Sequence, residues 1–179
     1  MQEPPDNQMQ VVLRDQGNLV WGLIVRILGD DGDDAADCYQ QSFFELASRQ
    51  ARVNDIRRAE SFWKRIAAAR AIDTIRRRIT DRERARLTGD VQVVTDPESG
   101  PSAQAQECEL LDDFRAALAT LPEIQASAFL LTQIDNSSNQ DAAQVLGVSV
   151  NHLGVLLHRA RVTLRERLES HNPVKQHRP

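Results

Sequence analysis

Two stretches hold the residues best suited to chemistry, and that chemistry is recognition of a polyanion. The first is Phe62 to Arg78, FWKRIAAARAIDTIRRR, which contains no Gly or Pro and reads as one helix. Ile66, Ala69, Ile72 and Ile75 recur at helical spacing and form a stripe to bury. Off that stripe lie Lys64, Arg65, Arg70, Arg76, Arg77 and Arg78, with Asp73 the single acid. Cationic side chains neutralise phosphates, and the aromatics Phe62 and Trp63 at the helix start offer flat surfaces for unstacked bases. Trp63 has two readings, a base-stacking wedge or a core aromatic. Three consecutive arginines sweep most of a helix circumference, so Arg76, Arg77 and Arg78 are expected at phosphates rather than all on nearby acids. Asp73 fits an i,i+3 or i,i+4 pair with one of them.

The second stretch follows the turn Gly147-Val148-Ser149. Ser138-Asn-Gln-Asp141 is a capping pattern that opens a short helix, Gly147 suits its C′ position, and Ser149 caps a last helix running to about Ser170. Two helices joined by so tight a turn form a helix-turn-helix pattern. Leu153, Leu157, Ala160, Leu164 and Leu168 share the inner stripe. Asn151, His152, Val155, Leu156, His158, Arg159 and Arg161 are left for the outer face. No nucleophile–base pair, phosphate loop or His/Cys cluster accompanies either stretch, so neither an enzyme, nor a metal, nor a cofactor is expected.

The elements that position these stretches are helices. Ala, Leu, Arg and Gln are plentiful in the 179 residues and aromatics make up 4%, which indicates an all-α chain with small cores. The net charge of −4 is strongly segregated: residues 1–48 carry −7, 49–86 carry +8, 87–151 carry −9 and 152–179 carry +4. Two cationic blocks on an acidic chain suggest two polyanion-facing surfaces backed by acidic parts that face something else. Cys38 and Cys108 stand far apart and read as reduced thiols. Neither a membrane span nor a secretory signal is visible, so a cytoplasmic location is expected.

In chain order, residues 1–16 read as a frayed polar arm, with Asn18 capping a buried helix to about Leu28. A second helix is expected from about Asp34 to Arg52 with Ala36, Tyr39, Phe43, Leu46 and Ala47 inward. Residues 49–59 read as a loop or broken helix, and the Phe62 helix continues towards Arg86. The Gly-, Pro- and Ser-containing stretch 88–106 reads as a flexible linker between domains at 17–87 and 107–171, with a tail at 172–179. Thr120-Leu-Pro-Glu123 predicts a helix start capped by Thr120, running to about Ile134.

With both halves in view, the chain resembles a bacterial RNA polymerase sigma factor of the extracytoplasmic-function (ECF) group, over roughly Leu19 to Leu168. Asp37-Cys-Tyr-Gln40-Gln41-Ser42-Phe43 is similar to the region 2 segment D-x-x-Q-[ED]-[TS]-F. Phe62–Arg78 is similar to the part of region 2 that opens the −10 element. Leu121-Pro-Glu and Val145-Leu-Gly-Val-Ser through Leu157-His-Arg-Ala-Arg161 are similar to region 4, which reads the −35 element.

The resemblance implies two small helical domains and no enzymatic activity. Asp37, Gln40, Gln41 and Phe43 would dock on the clamp helices of the largest subunit of core RNA polymerase. Trp63, Lys64, Arg65, Arg70, Arg76, Arg77 and Arg78 would serve the −10 element of promoter DNA. Ser149, Asn151, His152, Val155, His158, Arg159 and Arg161 would serve the −35 element, and an anti-sigma protein is a candidate further partner. The chain departs from the family pattern at Gly154 and Leu156, where a basic pair is usual, at Ala69 in place of Asn, and at Gln41 in place of an acid. Weak or shifted −35 reading is therefore expected, with Val155 and Leu156, both taken as exposed, left to touch thymine methyls or an apolar patch on a protein. A helix-turn-helix regulator acting without polymerase, or a sigma-like adaptor working through protein contacts, are the alternative functions.

Overall fold

A computed structural model of the chain describes residues 5–29, 32–49, 56–89 and 103–171. Among the described residues there are no strands. The helices are α1 (Pro5–Leu28), α2 (Gly32–Arg49), α3 (Ile56–Thr88), α4 (Ala103–Ala119), α5 (Glu123–Phe129), α6 (Asn139–Leu146) and α7 (Val150–His171). A single π-helical turn, Leu130–Ile134, extends α5. The all-α expectation therefore holds. Residues 90–102 of the expected linker and 50–55 of the expected break before α3 lie outside the described residues, whereas 103–106 already belong to α4 and 56–59 to α3.

α1 begins at Pro5, so residues 5–16 are helical rather than a frayed arm, and Asn18 sits inside the helix instead of capping it. Proline suits a first helical turn because its missing N–H is needed by no partner there. Val12 is buried along with Val20, Leu23, Ile24, Ile27 and Leu28, and this stripe carries the helix back past the predicted start.

α1, α2 and α3 pack as a three-helix unit around Trp63, which is fully buried. Its indole Nε1 donates to Ser42 Oγ at 2.9 Å, and Ser42 Oγ donates in turn to the Tyr39 carbonyl at 2.8 Å. The rings of Tyr39 and Phe43 each lie 5.5 Å from it, centroid to centroid. α3 buries Ile66, Ala67, Ala68, Ala71, Ile72 and Ile75; Ala69, expected on that stripe, is only half-buried. In α2 the buried positions are Ala35, Cys38, Ser42 and Leu46, with Ala36, Tyr39, Phe43 and Ala47 half-buried at the edge. Burial pushes the Cys38 thiol up to about 11, which keeps it protonated and inert at neutral pH, whereas Cys108 is exposed.

The C-terminal helices do not stand apart from this unit. One hydrophobic cluster runs from α1–α3 into Leu118, Leu121, Leu130, Leu131, Leu146 and Leu153. Arginines close the junction by supplying donors to carbonyls that helix ends leave without partners. Arg76 donates to the carbonyls of Ala119 and Leu121 at 3.1 and 2.8 Å. Arg115 donates to the carbonyl of Ile27 at 3.2 Å, beside Gly29. Gly29 ends α1 at φ +80°, and a Cβ there would lie 2.8 Å from Arg115 Nη2. Gly29→Ala is accordingly expected to lose about 1–2 kcal/mol from the left-handed backbone alone. An unchanged urea midpoint would show that the position is indifferent.

α5–α7 follow the predicted boundaries closely, with one local correction. Thr120 does not cap α5, because its hydroxyl donates back to the Ala117 carbonyl at 2.7 Å and Pro122 takes the cap position instead. Ser138 Oγ accepts from the Asp141 N–H at 3.1 Å, and Gly147 ends α6 in the left-handed conformation, φ 68°. Ser149 Oγ accepts from the His152 N–H at 3.2 Å and starts α7.

Candidate nucleic-acid interface

α7 presents the more open of the two cationic surfaces. Leu153, Leu157, Ala160 and Leu164 turn inward, so Asn151, His152, Val155, His158, Arg159 and Arg161 are exposed together, with Ser149 exposed at the cap. Arg159 and Arg161 form no ion pair among the described residues and are available to a phosphate or base edge. Leu156 does not join them. It is 3% exposed and packs inward, which corrects the expectation that it faces outward with Val155. Gly154 lies on the exposed side, and nothing lies within 4 Å of where its Cβ would be.

The α3 surface differs more from expectation. Trp63 is a core aromatic with its N–H already used, so of its two readings the wedge is not available in this arrangement. Phe62, its neighbour, takes the accessible position. It lines a groove of about 450 Å³ with Glu45, Arg49, Arg65, Arg70 and Asp73. The Arg49 guanidinium lies 5.6 Å from the Phe62 ring centroid. Sequence spacing alone does not say which of two adjacent aromatics faces inward.

The three consecutive arginines are also corrected. Arg76 is engaged with the carbonyls at the end of α4 and with Asp73 at 3.3 Å. Arg78 donates to the Leu28 carbonyl at 2.9 Å and pairs with Asp34, and Arg77 reaches the same carboxylate at 3.4 Å. Neutral carbonyl acceptors and an acid from α2 together hold what nearby acids on α3 could not. Arg70 pairs with Glu45 at 2.7 Å and Lys64 with Asp135 at 3.1 Å. Arg65 remains exposed without an ion pair among the described residues, and Arg77 is half-exposed with only its long contact.

On α2, Asp37, Gln40 and Gln41 are exposed side by side. Phe43 packs half-buried on Trp63, so its part is structural. The apolar member of that face is Phe44, 68% exposed and one turn after Gln40 and Gln41. The i,i+3/i,i+4 spacing was the signal for it. Among the described residues no group of His, Cys, Asp or Glu could hold a metal ion, and no helix is long and apolar enough to cross a membrane.

Among the described residues, a capped helix-turn-helix whose second helix is basic and solvent-facing is an arrangement suited to binding DNA. The family model for sigma-70, region 4, matches residues 111–164, which take in most of α4 and all of α5, α6 and the body of α7. Over 161 residues the chain is 28% identical to the ECF RNA polymerase sigma factor SigE of Mycolicibacterium smegmatis; the alignment covers 90% of this chain and 62% of that protein. The chain thus spans less than two thirds of the length of that curated relative. Among solved structures it is similar to CnrH, determined in complex with the cytosolic domain of CnrY, with TM-score 0.53 and 19% identity. That match covers 92% of this chain and 89% of CnrH, and at such identity the likeness is one of fold. The chain is thus similar in sequence to an ECF sigma factor, and residues 111–164 are similar to sigma-70 region 4.

Proposed function

We propose that the chain binds core RNA polymerase and directs promoter-specific initiation, with α7 in the major groove of the −35 element and the Phe62 groove receiving an unpaired base of the −10 strand. The observation that carries this reading is the outer face of α7, where six polar, basic or small apolar residues stand exposed after a left-handed glycine turn. Asp37, Gln40, Gln41 and Phe44 form the surface offered to the clamp helices of the polymerase, and Arg65 and Arg77 are the α3 cations open to phosphate. Phosphate contacts set the register and base contacts the sequence, so the two surfaces divide that work. Initiation is performed by the polymerase in the cytoplasm, and this chain contributes no covalent step. Control by an anti-sigma protein fits the same surfaces.

The test is run-off transcription with purified core polymerase, with and without this chain, on a genomic fragment library. Arg159→Ala with Arg161→Ala is expected to lower output from the recovered promoters about tenfold or more. Unaltered output would favour a protein-binding adaptor, and tight specific binding to duplex DNA by the chain alone would favour a free-standing regulator.

A further inference from the structure

We propose that Asp135 is an internal latch, holding the C-terminal helices closed on α1–α3 and occupying a cation that the phosphate backbone of nucleic acid must win back. The latch is built from three elements. The π turn Leu130–Ile134 ends with the Asp135 N–H donating to the Leu130 carbonyl at 3.0 Å, and Asn136 follows at φ 55°. This wide exit turns the Asp135 carboxylate towards the N-terminal unit. One oxygen accepts from Lys64 Nζ of α3 at 3.1 Å and from Ser137 Oγ at 2.6 Å, and the other accepts from Arg26 Nη2 of α1 at 3.5 Å. The Asp135 side chain is 7% exposed and that of Lys64 16%, so water screens the pair little.

The placement matters because Lys64 belongs to the cationic front of α3. Arg76, on the same helix, is likewise engaged by the C-terminal half through the carbonyls of Ala119 and Leu121. A carboxylate and a phosphate are alternative partners for one ammonium group. A polar cleft of about 570 Å³, lined by Ser61, Lys64, Asp135, Asn136, Ser138 and Gln144, brings solvent to the edge of the pair, so an anion has a route in. Closure and polyanion binding at Lys64 therefore oppose each other. By linkage, whatever weakens the closed arrangement tightens the polyanion, at most by the same factor. The latch stands on the geometry, whereas its role in promoter opening rests on the function proposed above.

The experiment uses the full chain carrying a fluorescence donor and acceptor at the exposed native Cys108 and at Leu19→Cys, which lies on the outer side of α1. Transfer efficiency reports closure, and titration with a single-stranded oligodeoxythymidine reports phosphate binding; neither needs polymerase. Asp135→Asn is expected to lower transfer efficiency at low salt and to bind the oligonucleotide roughly threefold more tightly. Lys64→Gln is expected to lower transfer efficiency as well but to weaken binding, because it removes the main latch contact and the phosphate ligand together. Arg26→Gln, which loses only the longer contact, should move in the direction of Asp135→Asn by less, and it carries the test if Asp135→Asn does not fold. Unchanged transfer efficiency, or opening without tighter binding, overturns the latch. Failure of run-off transcription with these results intact would overturn the sigma-factor function and leave the latch standing.

Discussion

Trp63→Ala is expected to cost about 3–5 kcal/mol, the range for removing a large buried aromatic. The indole is fully buried, with the Tyr39 and Phe43 rings against it and Gly17 of α1 close by, and its N–H donates to Ser42. Its removal leaves a cavity at the meeting point of α1, α2 and α3 and a buried hydroxyl with one partner fewer. Urea unfolding followed by far-UV circular dichroism measures the loss. Phe62→Ala is the informative companion, since that ring lines the open groove. It should spare most of the stability and weaken single-strand binding instead. If Trp63→Ala left the midpoint within about 1 kcal/mol of the parent, the tryptophan would not be the centre of this core.

Leu156→Asp is the second large effect, and it bears on how α7 departs from the sigma-factor pattern it resembles. A charge placed at this 3% exposed position must give up its hydration, and its burial is expected to cost at least about 3 kcal/mol. Val155→Asp, one residue away on the exposed side, should leave folding intact and reduce only DNA binding, through repulsion of phosphate. Thermal melts of the two variants decide the matter. Equal melting points would mean that Leu156 is exposed in solution. The two positions at which the resembled pattern carries a basic pair are thus unlike here. Position 154 is open to solvent and could accept a basic side chain, while position 156 is committed to the core.

Local chemistry explains which parts of this architecture could be read in advance. α6, the Gly147 turn and the start of α7 follow from a serine cap, a left-handed glycine and a second serine cap, each written within four residues. The full length of α1 is hidden in the sequence because Pro4, Pro5 and a polar run look like an arm, although Val12 continues the stripe of Val20 and Leu23 two turns upstream. The roles of the α3 arginines are hidden for a different reason. Their acceptors are backbone carbonyls at the ends of α1 and α4 and an acid on α2, and sequence pattern does not announce such partners. The same holds for Asp135, 71 residues from Lys64, whose pairing depends on two halves meeting.

The π turn before Asp135 has one further consequence. Such a turn closes with one residue more than an α turn, so Leu130–Ile134 holds a spare residue within the helix. Losing one residue from this stretch would let the backbone relax to ordinary helical winding and swing the following side chain by about 100° around the axis. The grip between the two halves could thus be released by a change of length that alters no charge at all, which makes helical phase, as much as residue identity, a variable on which this protein's responsiveness depends.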